Sequence, residues 1–262
     1  MHARANRGQW LLRIDDVDSP RVAVGATESI FNTLLAHGLL WDGEADFQSQ
    51  HLEQYQKVID ILSSKGLVYP CYCSRKTLSS ANSVVYSGTC FHAKPQNTPA
   101  SLRIKSAPVE IGFKDELQGY QSYQFAKQHG DFIIKRKDHI TAYQLAVVID
   151  DLRQNITHVV RGYDLLDSTP KQIFLQNSLN YRSPHYCHFP VIIDQYGHKL
   201  SKQKCAQAVS AEKPENNLFL LLQLLRQNPP KQLKKSSVKE IINWGIEHWQ
   251  SEPLKNIHTI NN

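Results

Sequence analysis

Ile156-Thr157-His158-Val159-Val160-Arg161-Gly162-Tyr163-Asp164-Leu165-Leu166-Asp167-Ser168-Thr169-Pro170-Lys171-Gln172 opens as a β-branched run and ends where a helix can begin. The run predicts a strand over 156–161. The proline at 170 is placed to start a helix reaching about Leu179. Arg161 closes the strand, where a parallel strand delivers side chains to the crevice beyond its carboxyl end. By residue type alone Arg161 is either a structural ion pair or a ligand for a carboxylate, which a guanidinium can grip bidentately.

Regular elements extend in both directions. Downstream, His188-Phe189-Pro190-Val191-Ile192-Ile193 reads as a strand and Asp194 to Gly197 as a turn. Upstream lie a strand at Asp131–Lys135 and a helix near Ala142 to Asp150, with Tyr143 readable as a core aromatic or a ligand contact. Further upstream, Leu52, Tyr55, Ile59 and Leu62 make one face of a helix over about 52–65, closed by Gly66. An earlier helix near 23–37 carries Ala26, Ile30 and Leu34, widened by Phe31 and Leu35. Trp10 to Ile14 reads as a short buried strand. Strands alternating with helices predict an α/β fold with a parallel sheet.

Between these units the chain changes character. Val68 to Cys73 is extended and thiol-rich, and 74–128 is rich in Ser, Gly, Pro and Lys, with a short strand at Ser101–Ile104. The segment reads as an insertion. The tail after Pro214 reads as two helices, near 218–226 and 238–248.

Five cysteines in 262 residues make no disulfide framework and fit a reducing cytoplasm. Cys71, Cys73 and Cys90 fall in one 20-residue stretch, with Tyr86 four residues before Cys90. Thiolates so spaced can gather around one Zn²⁺; the alternative is three buried free thiols and a packed tyrosine. His92 is a substitute ligand, whereas Cys187 and Cys205 read as ordinary. The net charge of +6 favours an anionic partner such as nucleic acid, or is a solvated basic surface. Lys231, Lys234, Lys235 and Lys239 allow either reading. No apolar run approaches the ~20 residues that span a bilayer, so no membrane partner is expected, and a monomer is the expected state.

Three segments together resemble the catalytic domain of glutamyl-tRNA synthetases: Ile156–Gln172, Gly197-His198-Lys199-Leu200-Ser201-Lys202-Gln203, and Arg13-Ile14-Asp15-Asp16-Val17-Asp18 with Pro20-Arg21 behind it. The resemblance implies a Rossmann-like class I catalytic domain. It makes Lys199, Leu200, Ser201, Lys202 and Gln203 an ATP-binding loop, with Lys202 the critical group. Attack of glutamate on the α-phosphate builds negative charge that two flexible ammonium groups can follow. It assigns Arg161 to a substrate carboxylate and Tyr143 to a hydrogen bond with the amino acid. Asp15 stands where the family usually has Glu for the substrate ammonium group, one methylene shorter. Read on their own, Asp15, Asp16 and Asp18 cap the following helix.

The Cys71-x-Cys73 and Tyr86-x₃-Cys90 pattern is similar to the glutamyl-queuosine tRNA(Asp) synthetase branch, in which a tyrosine supplies the fourth zinc ligand. Residues 206–262 are too few for a helical anticodon-binding domain, which points to the same branch. The resemblance then implies transfer of L-glutamate, activated with ATP and Mg²⁺, to the queuosine base of tRNA(Asp). Expected boundaries are 1–68 for the rest of the first catalytic half, 69–128 for the zinc-binding insert, 129–205 for the second half and 206–262 for a helical C-terminal region. The family's histidine-rich first signature, and the proline-rich segment ahead of it, do not occur in the sequence. A first strand and helix are therefore expected to be missing, through a late start or a truncated gene, with apolar surface exposed and activation impaired. A catalytically inactive tRNA-binding remnant and a conventional synthetase fragment are the alternatives.

Overall fold

The computed structural model describes residues 1–18, 23–74, 85–86, 88–94, 96–200 and 209–261. The first third contains α1 (His2–Ala5), β1 (Arg13–Ile14), α2 (Ala26–Ala36), β2 (Asp46–Phe47), α3 (Leu52–Ser64) and β3 (Val68–Cys71). Then come β4 (Ser101–Ile104), β5 (Glu110–Asp115), β6 (Gly119–Gln124), α4 (Phe125–Gln128), β7 (Phe132–Lys135) and α5 (Tyr143–Arg153). The remainder is β8 (His158–Gly162), α6 (Thr169–Leu179), β9 (His185–Phe189), β10 (Val191–Ile193), α7 (Pro214–Leu224), α8 (Val238–Glu247) and β11 (Thr259–Asn261).

The opening stretch folds as its pattern requires: β8, a 3₁₀ turn over Tyr163–Ser168, then α6. Strand β8 pairs in parallel with β9, which pairs in parallel with β5, and β6 closes an antiparallel hairpin on β5. A second sheet, β3-β4-β7, is antiparallel throughout. The fold is therefore mixed α/β. The expected single strand over 188–193 is two, because Pro190 has no N–H to donate to a ladder. Its two sides find different partners: β9 stays with β8, whereas β10 pairs in parallel with the C-terminal β11.

The main core joins both sheets. Tyr55, Val58, Ile59 and Leu62 of α3 pack with Ile104, Ile134, Leu145 and Phe174. Leu52, expected on this face, is 50% exposed. Asp150 of α5 is fully buried and accepts hydrogen bonds from Tyr55 Oη and Gln48 Nε2, both 2.8 Å. Burial and this bond push the Tyr55 phenol well above its ordinary range. Next to Asp150, Asp151 accepts from Arg13 Nη1 at 2.8 Å, tying β1 to α5.

The helix over 23–37 forms as α2, yet none of its residues is fully buried, and Ile30 and Leu35 are exposed. Leu35 faces a cavity of 1610 Å³ also lined by Trp10, Leu11, Val159, Val160 and Ile242. Strands β1 and β8 both line it, and among the described residues each has a single strand partner. Arg161, Tyr143 and the cysteines are not in its wall. Asp16 and Asp18 do not cap α2, whose N-cap is Gly25. Asp16 instead accepts from Ser49 N and Oγ at 2.8 and 2.6 Å, and Asp18 pairs with Arg136 at 2.8 Å. Among the described residues no helix is long and apolar enough to cross a membrane.

Candidate functional site

Arg161 leaves the carboxyl end of β8 half-buried, and its guanidinium is held on three sides. Nε donates to His188 Nε2 at 3.0 Å, Nη1 to Gln172 Oε1 at 2.9 Å and Nη2 to Thr169 Oγ1 at 2.8 Å. Thr169 and Gln172 lie one turn apart on α6 and His188 lies on β9, so the pairing of β8 with β9 builds the cradle. Every acceptor is neutral. Among the described residues no carboxylate comes within ion-pair distance of Arg161, which removes the structural ion-pair reading. A half-buried cation with no carboxylate in contact is costly, and a ligand carboxylate would relieve that cost.

Tyr143 opens α5, its hydroxyl 3.5 Å from Arg161 Nη1. It is 40% exposed, so it is not a core aromatic. Asp15 follows β1 and accepts from Arg13 Nε at 3.0 Å, its side chain 45% exposed. Arg13 also holds Asp151, and the Arg161 charge reaches Asp151 as well. Burial pushes the Asp151 carboxyl above its usual range, while Arg13 and Arg161 pull the other way. Arg13 of β1 and Arg161 of β8 thus act on Asp151 from different strands.

The 199–203 loop is described only at its start. Lys199 Nζ contacts Asp164 Oδ2 at 2.5 Å, and Leu200 N donates to Ile192 O at 3.0 Å. Ser201, Lys202 and Gln203, like Cys205, lie outside the described residues. The loop emerges from β10, which the C-terminal β11 braces; sequence reading gave no hint of that brace.

The sulfur site closes on itself. Cys71, Cys73 and Cys90 place their sulfurs within 4.8 Å of one another. Tyr86 Oη lies 3.5 Å from Cys71 Sγ and 3.7 Å from Cys73 Sγ, and accepts from Cys90 N at 2.9 Å. Zn–S bonds of about 2.3 Å in a tetrahedron put sulfurs about 3.8 Å apart, so the donor set fits a zinc site. Burial raises the Cys90 thiol, but hydrogen bonds from Tyr86, the Tyr72 backbone and the other thiols outweigh it and hold Cys90 at about 7. Burial, then contact with Cys90, raises Cys73. The Arg103 guanidinium lies 3.8 Å over the Tyr86 ring. His92 is outside the cluster and packs against Phe91.

Residues 1–242 match the catalytic domain of the class I tRNA synthetases for E and Q. The chain belongs to that family. It is a class I synthetase-like ligase, and curated relatives about 40% identical over nearly its whole length are glutamyl-Q tRNA(Asp) synthetases. That of Pseudomonas aeruginosa is 40% identical over 260 residues, 99% of this chain and 88% of the relative. Those of Aromatoleum aromaticum and Neisseria meningitidis are 42% and 40% identical, over 95% and 96% of this chain and 81% and 88% of theirs. Among solved structures, the glutamate-tRNA synthetase of Elizabethkingia anophelis superimposes with a TM-score of 0.80 at 20% identity, over all of this chain and 62% of its own. The glutamate tRNA ligase of Elizabethkingia meningosepticum gives 0.78 at 20% identity, over 98% of this chain and 61% of its own. The chain spans about three fifths of those two proteins, and the likeness shows the fold. Around Arg161, sequence reading missed Thr169, Gln172 and His188, and Asp115 behind them. A lone His in an apolar run and an Asp at a strand end carry no pairing signal.

Proposed function

We propose that the chain activates glutamate with ATP and transfers it to the queuosine base of tRNA(Asp). The observation that carries this is the Arg161 guanidinium, braced by three neutral acceptors and short of a carboxylate. A substrate carboxylate completes it bidentately. Tyr143 Oη stands beside the same Nη1 to hydrogen-bond the amino acid, and Asp15 offers its charge to the ammonium group. Lys199 and Lys202, with Leu200, Ser201 and Gln203, take the ATP phosphates with Mg²⁺; Lys202 follows the charge that builds as pyrophosphate leaves. Cys71, Cys73, Tyr86 and Cys90 hold zinc, which when bound cross-links the 69–128 insert. The tRNA specificity rests on the names of relatives about 40% identical over nearly the whole chain.

The test is glutamate-dependent ATP–pyrophosphate exchange, followed by transfer of labelled glutamate to tRNA(Asp) with and without queuosine. Transfer only to the queuosine-containing tRNA is expected. Label at the 3′ end of tRNA(Glu) would overturn the specificity, and exchange without glutamate dependence would overturn the site. Exchange absent from the folded chain sinks the enzyme reading.

A further inference from the structure

Behind Arg161 lies a fully buried pair that neither the reaction nor the family comparison has used. His188 and Asp115 have no exposed side-chain surface, and His188 Nδ1 lies 2.6 Å from Asp115 Oδ2. The imidazole's other nitrogen faces Arg161 Nε at 3.0 Å and Thr169 Oγ1 at 3.2 Å. A guanidinium nitrogen only donates, so Nε2 must accept and cannot carry a proton. His188 is therefore neutral, protonated on Nδ1, which donates to Asp115. Asp115 is fixed in turn, because its Oδ1 accepts from the backbone N–H groups of Leu117, Gln118 and His188 at 3.0, 2.9 and 3.2 Å.

We propose that Asp115 and His188 are positioning residues: the carboxylate selects the imidazole tautomer, and the tautomer sets the guanidinium plane that receives the substrate carboxylate. The proposal rests on the reading of Arg161 as the glutamate site. A wrong tautomer would aim a second N–H at Arg161 Nε, and the guanidinium would have to turn away. The chain of atoms runs Asp115 Oδ2, His188 Nδ1–H, His188 Nε2, Arg161 Nε–H, so Asp115 at the end of β5 governs a side chain on β8 that it does not touch.

Asp115→Asn makes a discriminating test because it is nearly isosteric. The three backbone donors keep the amide oxygen in the Oδ1 place, so the amide nitrogen meets His188 Nδ1 and forces the proton to Nε2. The measurements are imidazole and guanidinium ¹⁵N shifts by NMR, glutamate affinity by calorimetry, and melting midpoint as a folding control. In the unchanged chain, His188 is expected with the proton on Nδ1. Asp115→Asn should move it to Nε2 and weaken glutamate by on the order of 10- to 100-fold, the worth of a hydrogen bond to a charged group. His188→Leu should weaken glutamate similarly. His188→Gln, whose amide oxygen reaches the Nε2 place, should stay within about threefold, and Asp115→Asn added to it should cost little more. An imidazolium or an Nε2–H tautomer in the unchanged chain overturns the proposal. So does an Asp115→Asn chain that melts earlier yet binds glutamate as before. Arg161→Ala separates the two readings: if it leaves glutamate affinity intact, the glutamate site is wrong, whereas the tautomer result still tests the positioning pair.

Discussion

Around Cys71, three sulfurs and a phenol oxygen crowd together; around Arg161, a guanidinium is ringed by neutral acceptors and meets no carboxylate among the described residues. The first arrangement wants a cation and the second an anion. They differ in what holds them. The sulfur site draws its donors from 71–90, beside a stretch of which 75–84 lie outside the described residues. The Arg161 cradle draws on β5, β8, α6 and β9, all packed on the main sheet. A local cluster takes much of its order from its ligand, whereas a site gathered from a sheet is built before its ligand arrives.

Removing the ligand from the sulfur site should have the largest effect. The purified chain is expected to carry about one equivalent of zinc by atomic emission. Structural zinc binds small lobes with on the order of 10 kcal/mol at neutral pH. Chelation, or Cys73→Ala, should therefore speed amide exchange across 69–94 and leave β8 and β9 protected. Equal loss of protection in both regions would erase the contrast between them.

Arg161→Ala comes next. Losing one partner of a desolvated charge pair costs about 2–5 kcal/mol, so glutamate affinity by calorimetry should fall by roughly 30-fold or more. The melting midpoint should not fall in proportion, because the deleted charge has no carboxylate partner to orphan. A large loss of stability with little loss of affinity would make the cradle structural and the comparison wrong.

How much of this was legible depended on the distance between partners in the chain. Helix α3 was readable because Tyr55, Ile59 and Leu62 repeat along one face, and of the residues expected on that face only Leu52, at its first position, points outward. The cysteine cluster was readable because its ligands are neighbours in sequence. Arg161 was readable as the end of a β-branched strand. Its neutrality-seeking surroundings were not, since Thr169 and Gln172 become acceptors only once α6 folds back, and His188 only once β9 pairs with β8. The β5–β6 hairpin escaped notice because it lies in a polar segment of weak sequence periodicity, although its residues alternate in burial once the strands pair. Strand β11 escaped because its partner β10 is 68 positions away in register, Val191 facing Thr259.

The preformed cradle should also leave a signature in acid. Burial pushes the Asp115 carboxyl up, but His188 and the backbone N–H groups of Gln118 and His188 outweigh it and hold it below its usual range. A depressed folded value means Asp115 stabilises the fold above the ordinary aspartate value of about 3.9. That stability is lost as pH falls through the still lower folded value. Denaturant midpoints measured downward from pH 5 should therefore fall less steeply in Asp115→Asn than in the unchanged chain. Parallel curves would mean that the buried carboxylate is not charged, and that the cradle is held by packing alone.

The smallest effect is expected at Lys199, another cation of the proposed site. Lys199 already has a carboxylate, Asp164, and both are well exposed, at 50% and 36% of their side-chain surface. Water and salt screen such a pair, and ordering a lysine costs entropy, so exposed pairs contribute about 0–1 kcal/mol. Asp164→Asn should shift the denaturation midpoint by less than about 1 kcal/mol. If Lys199 serves ATP, freeing it should leave the affinity for a non-hydrolysable ATP analogue unchanged or raise it by no more than about fivefold. Arg161 has no such resident partner, and its replacement is costly to binding for that reason. A loss of analogue affinity in Asp164→Asn would show that the carboxylate holds Lys199 in its working position, and would make the 199–203 loop a preorganised site like the cradle.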